Sequence, residues 1–388
     1  MPLALLALAL GAFGIGTTEF IISGLLPDLA ADFGVTIPTA GLLVSGYAFG
    51  VVVGAPLVTA AGARLPRKTM LVSLMVLFIA AHLLSAAASS YAALMTGRIV
   101  ASLAHGAFIG IGSAVAAGLV EPERRSRAIA LMFTGLSLSN VLGVPFGTFV
   151  GQNFGWRTAF WVVAAIGVVA LVGIVALVPS GPRPEGGLRR ELAVFRRGQV
   201  WLTLAMTAVG WAPVLAVITY VAPLLTEVTG YSAGAVPVVM VLLGVGMLIG
   251  GPIGGRYADR ALMPSIYALI AAVTAVAALL LFAAHNKIAV VVGLTLFGVV
   301  ASALIPPLQT RILDKAAGAE ALASASNASA FNLGNTIGPF LAGLAIEAGH
   351  GFISPLWVAA LLGLAGLATA YLAGSRDRAP APVPAPVP

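Results

Sequence analysis

Glu19 and Arg98 are the two charged side chains of this 388-residue sequence that fall deep inside long apolar runs, residues 3–26 and 92–119. Glu19 comes about 16 residues into its run, about 24 Å along a helix rising 1.5 Å per residue. A carboxylate at such a depth is expensive, and by default it marks a functional position facing a cavity or a partner. Its chemistry there would be to bind and release a proton. The plainer readings are a glutamate at the interface of a short span or a structural ion pair. Arg98 opens a stripe in which residues 98, 102 and 105 share one helical face, giving Arg98, Ser102 and His105. An arginine there holds a carboxylate deprotonated or releases it, and His105 has the ring chemistry to relay protons. Against these stand snorkelling of Arg98 to an interface and a His105 bonded to a neighbouring carbonyl or hydroxyl.

A second group suits a small-molecule cavity, with mostly apolar walls and few convergent polar groups. Its polar members are Ser45, Tyr47, Asn140, Gln309, Asn327, Asn332 and Asn335; its aromatic members are Phe20, Trp211, Tyr220 and Phe331. Some of these polar groups would merely tie helices together. The sequence offers no P-loop, metal cluster or nucleophile with its base, so neither an ATP-driven pump nor a membrane enzyme is supported. No catalytic residue, metal or cofactor is expected.

The elements that position these residues follow from composition. Hydrophobic residues make up 60% and charged residues 9%, against roughly 25% charged in a soluble domain. Apolar runs long enough to span a bilayer lie near residues 3–26, 40–62, 69–89, 92–119, 128–151, 158–179, 199–221, 235–256, 264–284, 288–306, 321–348 and 352–373. The expected fold is all-α, a polytopic membrane protein of twelve transmembrane helices. The first run lacks a basic leader and a small-residue cleavage site, so it reads as a span rather than a signal peptide. There are no cysteines, and hence no thiol chemistry.

The net charge of +7 suggests no nucleic acid, because its placement has another cause. Seventeen of the twenty Lys and Arg residues fall in loops after even-numbered spans or in the tail; Arg157 and Lys287 alone fall in loops after odd-numbered ones. The positive-inside rule then puts both termini in the cytoplasm. Residues 180–198 form the one long polar connection, with a basic amphipathic stretch suited to the membrane surface. They divide the chain into six-helix bundles at 1–179 and 199–373, and 374–388 reads as a disordered Pro/Ala tail.

The halves repeat each other. A shift of 196 residues lays Gly50, Gly54, Pro56 and Arg64 over Gly246, Gly250, Pro252 and Arg260; a shift of 195 lays Asn140 and Gly143 over Asn335 and Gly338. Such a six-plus-six repeat suits two pseudo-symmetric bundles rocking about a midplane site. The fifth span has Gly135, Ser139, Gly143, Gly147 and Gly151 at every fourth position; its counterpart has Ala330, Gly334, Gly338 and Ala342. These ridges let helices approach closely and slide, and Pro145 and Pro339 permit bending.

The chain resembles the major facilitator superfamily, in its drug:proton antiporter branch, nearest the arabinose-efflux-like and chloramphenicol-resistance-like bacterial exporters. The resemblance covers roughly residues 3–375. It rests on GTTEF (16–20), GLLP (24–27), GVVVGAP (50–56), RIVASLAHGAF (98–108), VPFG (144–147), GWR (155–157), PPLQTR (306–311) and AFNLGN (330–335). It implies a proton-coupling role for Arg98 and a cavity-shaping antiporter motif containing Gly143, Pro145 and Gly147. It further implies a cytoplasmic gating loop at GGRYADR (254–260), with Asp259 and Arg260 intact. The first-half counterpart TAAGARLPRK (59–68) keeps Arg64, Arg67 and Lys68 but has Ala63 and Pro66 in place of the pattern's aspartate and glycine.

The expected function is alternating-access export of small, largely apolar organic compounds against protons, by a monomer in the bacterial inner membrane. Its partners would be the substrate, protons and the lipid bilayer, with Glu19, Arg98 and His105 as the coupling set. The alternatives are a sugar or metabolite exporter or facilitator of the same fold, and a non-transporting membrane sensor.

Overall fold

The computed structural model describes residues 3–62, 65–121, 125–180, 193–316 and 320–378. Arg64, most of the 180–198 connection and the end of the tail, 379–388, lie outside the described residues.

Among them run twelve long helices: α1 (Ala4–Phe33), α2 (Ile37–Gly62), α3 (Arg67–Ala86), α4 (Tyr91–Gly118), α5 (Arg125–Leu138, continued by Val144–Phe154), α6 (Trp156–Leu177), α7 (Gly198–Thr219), α8 (Val236–Arg260), α9 (Leu262–Ala283), α10 (Lys287–Lys315), α11 (Glu320–Ala345) and α12 (Ser354–Arg378). Eleven are long and apolar enough to cross a membrane. The remaining one, α11, has 26 residues but carries Asn327, Asn332 and Asn335, which lower its hydropathy. The protein is a multi-pass membrane protein.

Local sequence explains the breaks. Gly34 ends α1 in the left-handed region, at φ 61°, where a Cβ is penalised. Ser90 accepts from the Ala93 amide at the start of α4, and Asn286 accepts from Ile288 and Ala289 at the start of α10. In α5 a π-turn at Ser139–Gly143 precedes Pro145, whose ring nitrogen cannot donate to the preceding turn. The ends expected from hydropathy are short in several places; α8, expected to end at 256, runs to Arg260, and α12, expected to end at 373, runs to Arg378. Helix α1 continues past Pro27 to Phe33, and α10 continues past Pro306 and Pro307 to Lys315. Arg311, counted as a loop residue in the sequence, is therefore a buried helical residue, 2% exposed.

Helices α1–α6 pack among themselves, as do α7–α12, and the halves meet where α2 faces α11 and α5 faces α8. The glycine ridges lie inside each half. A Cβ at Gly135 would meet the Ala9 carbonyl and one at Gly143 the Thr17 hydroxyl, both on α1. In the second half Gly334 and Gly338 press on the Ala208 and Ala212 carbonyls of α7. Gly143 against Thr17 and Gly338 against Ala212 are equivalent contacts under the 195-residue shift, so the sequence repeat is a repeat of packing.

Contacts between the halves gather from mid-depth toward the α1–α2 loop. The Ser45 hydroxyl donates to the Thr336 carbonyl at 3.1 Å, and Thr148 reaches the Met240 sulfur at 3.7 Å. A Cβ at Gly343 would sit 3.6 Å from Pro38 Cβ. Among the described residues no hydrogen bond joins the halves on the other side of this layer, toward the chain ends. The α1–α2 loop end is the closed one.

Candidate functional site

At mid-depth, α1 presents two consecutive residues in different directions. Arg98 of α4, 1% exposed, donates through Nη1 to the Thr18 carbonyl at 2.6 Å and the Thr18 hydroxyl at 3.0 Å, and through Nη2 to the Glu19 carbonyl at 3.5 Å. Its Cζ lies 4.0 Å from the centroid of the Tyr47 ring, a cation–π contact. The guanidinium thus hangs from two backbone carbonyls, the Thr18 hydroxyl and an aromatic face, and among the described residues no carboxylate is bonded to it. The Glu19 side chain, partly buried, instead reaches the other half, where Oε1 accepts from Asn335 Nδ2 at 2.9 Å. Asn335 is fixed in turn, its Oδ1 accepting from Trp211 Nε1 at 2.7 Å. Phe331 meets the Trp211 ring edge-on at 5.2 Å.

Beside this junction lies a small apolar pocket between the halves. Phe20, Asn140 and Val144 line it from one side, and Trp211, Met240 and Leu243 from the other. The Asn140 amide donates to the Leu136 carbonyl within its own helix.

The remaining expected site residues sit as follows. His105 is buried, with Nδ1 3.3 Å from the Tyr47 hydroxyl. Tyr47 itself is covered and lies under Arg98 rather than against the pocket. Tyr220 seals the closed end, donating to the Pro339 carbonyl at 3.1 Å. Gln309 and Asn327 bond to each other at 2.8 Å, and Thr207 donates to the Asn327 oxygen at 2.8 Å; these amides knit α7, α10 and α11 together. Asn332 is buried with Nδ2 on the Ala328 carbonyl, while its Oδ1 has no hydrogen-bond partner among the described residues. At the chain-end face, Arg67, Asp259 and Arg260 are exposed, and Lys68 donates to the Val175 carbonyl at 2.8 Å. Gly143 and Gly147 lie on the α5 face that packs against α1, and Pro145 is buried in the same helix, two residues from each and so on another face.

Sequence reasoning missed three participants. Thr18 and His82 complete the Arg98 environment, and a second buried arginine, Arg311, bonds Asp377 of α12 at 2.9 Å. The signal for Arg311 was available, because a helix can carry Pro306 and Pro307 when neighbouring helices re-satisfy the freed carbonyls. For His82 the only signal was a histidine in an apolar span.

Twelve helices in two repeated bundles, closed at one end and joined at mid-depth by a carboxylate, describe a two-bundle membrane transporter. The chain belongs to the Major Facilitator Superfamily, whose family model matches residues 8–328. It is therefore a transporter, not an enzyme. It is 41% identical over 365 residues to the inner membrane transport protein YdhP of Escherichia coli K12, covering 93% of each chain. It is 34% identical over 380 residues to the putative transporter AraJ of the same strain, covering 97% of this chain and 96% of that one. A chloramphenicol resistance protein of Streptomyces lividans is 35% identical over 384 residues, with 96% of each chain covered. Among solved structures, an inward-facing, occupied bacterial homologue of the human lysosomal transporter Spinster superposes with a TM-score of 0.77 at 17% identity, covering 97% of this chain and 98% of that one. A D-xylose-proton symporter does so with a TM-score of 0.77 at 16% identity, covering 94% and 96%. These two share the fold.

Proposed function

We propose that the protein exports small, largely apolar organic compounds in exchange for protons, by alternating access of its two bundles. The observation that carries this reading is the Glu19–Asn335 hydrogen bond across the seam, beside an Arg98 held by other groups. A carboxylate at the seam couples its protonation to whether the halves are joined there. Asn335 donates a charge-assisted hydrogen bond to ionised Glu19, and protonation weakens that bond. The apolar pocket lined by Phe20, Trp211 and Met240 suits apolar substrates, and the resistance of a relative to chloramphenicol supports the same class.

The basic asymmetry of the loops supports a cytoplasmic location for both termini, in the bacterial inner membrane. The state described here then opens to the cytoplasm. Substrate enters from that side with Glu19 ionised; after rocking, proton binding at Glu19 from outside favours release and permits return. The units that rock are residues 1–179 and 199–373, linked by 180–198, acting as a monomer. His105, through Tyr47, serves proton exchange on the cytoplasmic side. Arg64, Arg67, Lys68, Asp259 and Arg260 gate the cytoplasmic end, and Gly143, Pro145 and Gly147 shape the α5 wall. A potential supplies about 2.3 kcal/mol per charge per 100 mV, enough for a roughly fortyfold gradient.

A sugar or metabolite substrate is the second reading, favoured by the amides of α11. Yet Gln309 and Asn327 spend their hydrogen bonds on each other, on Thr207 and on Ser324. The test is uptake of chloramphenicol into proteoliposomes driven by an imposed pH gradient. Glu19→Gln should abolish the pH-driven component and leave substrate-dependent exchange; undiminished pH-driven transport would remove Glu19 as the carrier.

A further inference from the structure

Thr17 and Thr18 are adjacent on α1, yet their hydroxyls behave differently. Thr17 donates to the Phe13 carbonyl one turn back, at 2.8 Å, the usual resting place for a threonine in a helix. The Thr18 hydroxyl instead lies 2.7 Å from His82 Nε2 on α3 and 3.0 Å from Arg98 Nη1 on α4. The His82 ring is 1% exposed, and its Nδ1 is 2.7 Å from the Phe78 carbonyl. A carbonyl only accepts, so Nδ1 carries the proton. A second proton on Nε2 would set a cation one oxygen away from Arg98 in an apolar interior, so Nε2 accepts and the Thr18 hydroxyl donates to it. The Phe78 ring, 4.1 Å away between centroids, and Phe160, at 6.1 Å, pack against the imidazole.

We infer that His82 is a positioning residue: its Nε2 accepts the hydrogen bond of the Thr18 hydroxyl, which turns the oxygen lone pairs of Thr18 toward Arg98 and holds the guanidinium on the α1 backbone at Thr18 and Glu19. The relay Phe78 carbonyl–His82–Thr18–Arg98 joins α3, α1 and α4 at the level of Glu19, in the half opposite Asn335. A donor-only side chain at Arg98 needs acceptors, and without His82 the Thr18 hydroxyl is free to turn back to the Gly14 carbonyl, as Thr17 does to Phe13. The consequence for transport rests on the proton-coupled reading above; the placement of Arg98 does not.

The experiment therefore has two readouts on the purified full chain. The first is modification of Arg98 by p-hydroxyphenylglyoxal, read by mass spectrometry of its peptide. His82→Leu and Thr18→Val should each raise the modification rate about tenfold, the worth of one hydrogen bond to a charged group. The double variant should raise it no further, and His82→Gln, whose side-chain oxygen still accepts, together with Thr18→Ser, should stay near the wild-type rate. An unchanged rate in both single variants, or additive effects in the double one, overturns the proposal. His82→Gln and Thr18→Ser keep the test decisive if the apolar variants fail to fold. The second readout is pH-driven uptake, where the maximal rate should fall and the substrate KM hold. If the labelling follows expectation while Glu19→Gln transports normally, the coupling reading fails and the positioning role stands.

Discussion

The Asn335 amide of one half donates to the Glu19 carboxylate of the other at 2.9 Å, although 316 residues separate them in the chain. Among the described residues no carboxylate is bonded to Arg98, and this amide is the hydrogen-bond partner of the Glu19 side chain in the closed-end state. Asn335→Leu should therefore loosen the closed end. The loss of a hydrogen bond to a charged group, on the order of 2 kcal/mol, would move the closed-to-open ratio about thirtyfold. Spin labels at Thr36 and Ser232, on the loops of the two halves, would report it; an unchanged distance distribution would count against the joint.

Tyr47 separates two roles of one residue. Its ring carries Arg98 at 4.0 Å, and its hydroxyl approaches His105 at 3.3 Å. Tyr47→Phe keeps the ring and should leave thermal stability within about 0.5 kcal/mol, whereas Tyr47→Leu should cost about 1–2 kcal/mol. If His105 exchanges protons through the hydroxyl, Tyr47→Phe should still slow pH-driven uptake. Equal stability of the two variants would show that the cation–π contact carries little.

The two glycine environments give opposite expectations. At Gly338 a Cβ would meet the α7 backbone, with the Ala216 nitrogen at 2.9 Å, while at Gly110 nothing lies within 4 Å. Gly338→Ala should destabilise by about 1–3 kcal/mol, because backbone cannot yield as a side chain does. Gly110→Ala should be neutral or stabilising by up to about 1 kcal/mol. Melting curves in detergent distinguish them, and a tolerated Gly338→Ala would contradict the close packing of α11 on α7.

The absence of native cysteine allows the closed end to be locked. A Cβ at Gly343 would lie 3.6 Å from Pro38 Cβ, within the range of a disulfide. It would also lie 2.7 Å from the Tyr220 hydroxyl, so the pair Pro38→Cys and Gly343→Cys is best made with Tyr220→Phe. Oxidation should stop transport, and reduction should restore it. Transport at full rate in the oxidised protein would mean that this end need not open.

Much of the fold was legible because the membrane imposes a simple rule: spans must be long, apolar and helical. The halves were legible because Gly143 and Gly338 occupy equivalent contacts, and packing between backbones leaves small residues at fixed spacing. Individual site roles were less legible. Tyr47 reads as a cavity residue until Arg98 is placed above it, and Gln309 and Asn327 look available until they are seen bonded to each other. A sequence lists donors and acceptors, but pairing them requires the distances between helices. Arg311 shows a further limit, since a hydropathy window ends at Pro306 while the helix runs on to Lys315 and pairs Arg311 with Asp377.

The suspension of Arg98 from carbonyls and an aromatic ring has an electrical consequence. Under the proposed cycle its positive charge is a fixture, while the charge on Glu19 comes and goes. The buried layer then alternates between electroneutral and singly positive, and it never carries a net negative charge. The voltage across the membrane therefore acts on the loaded and unloaded forms unequally, favouring inward travel of the protonated one. The arginine behaves less like a counter-ion than like a bias set once, when the chain folds.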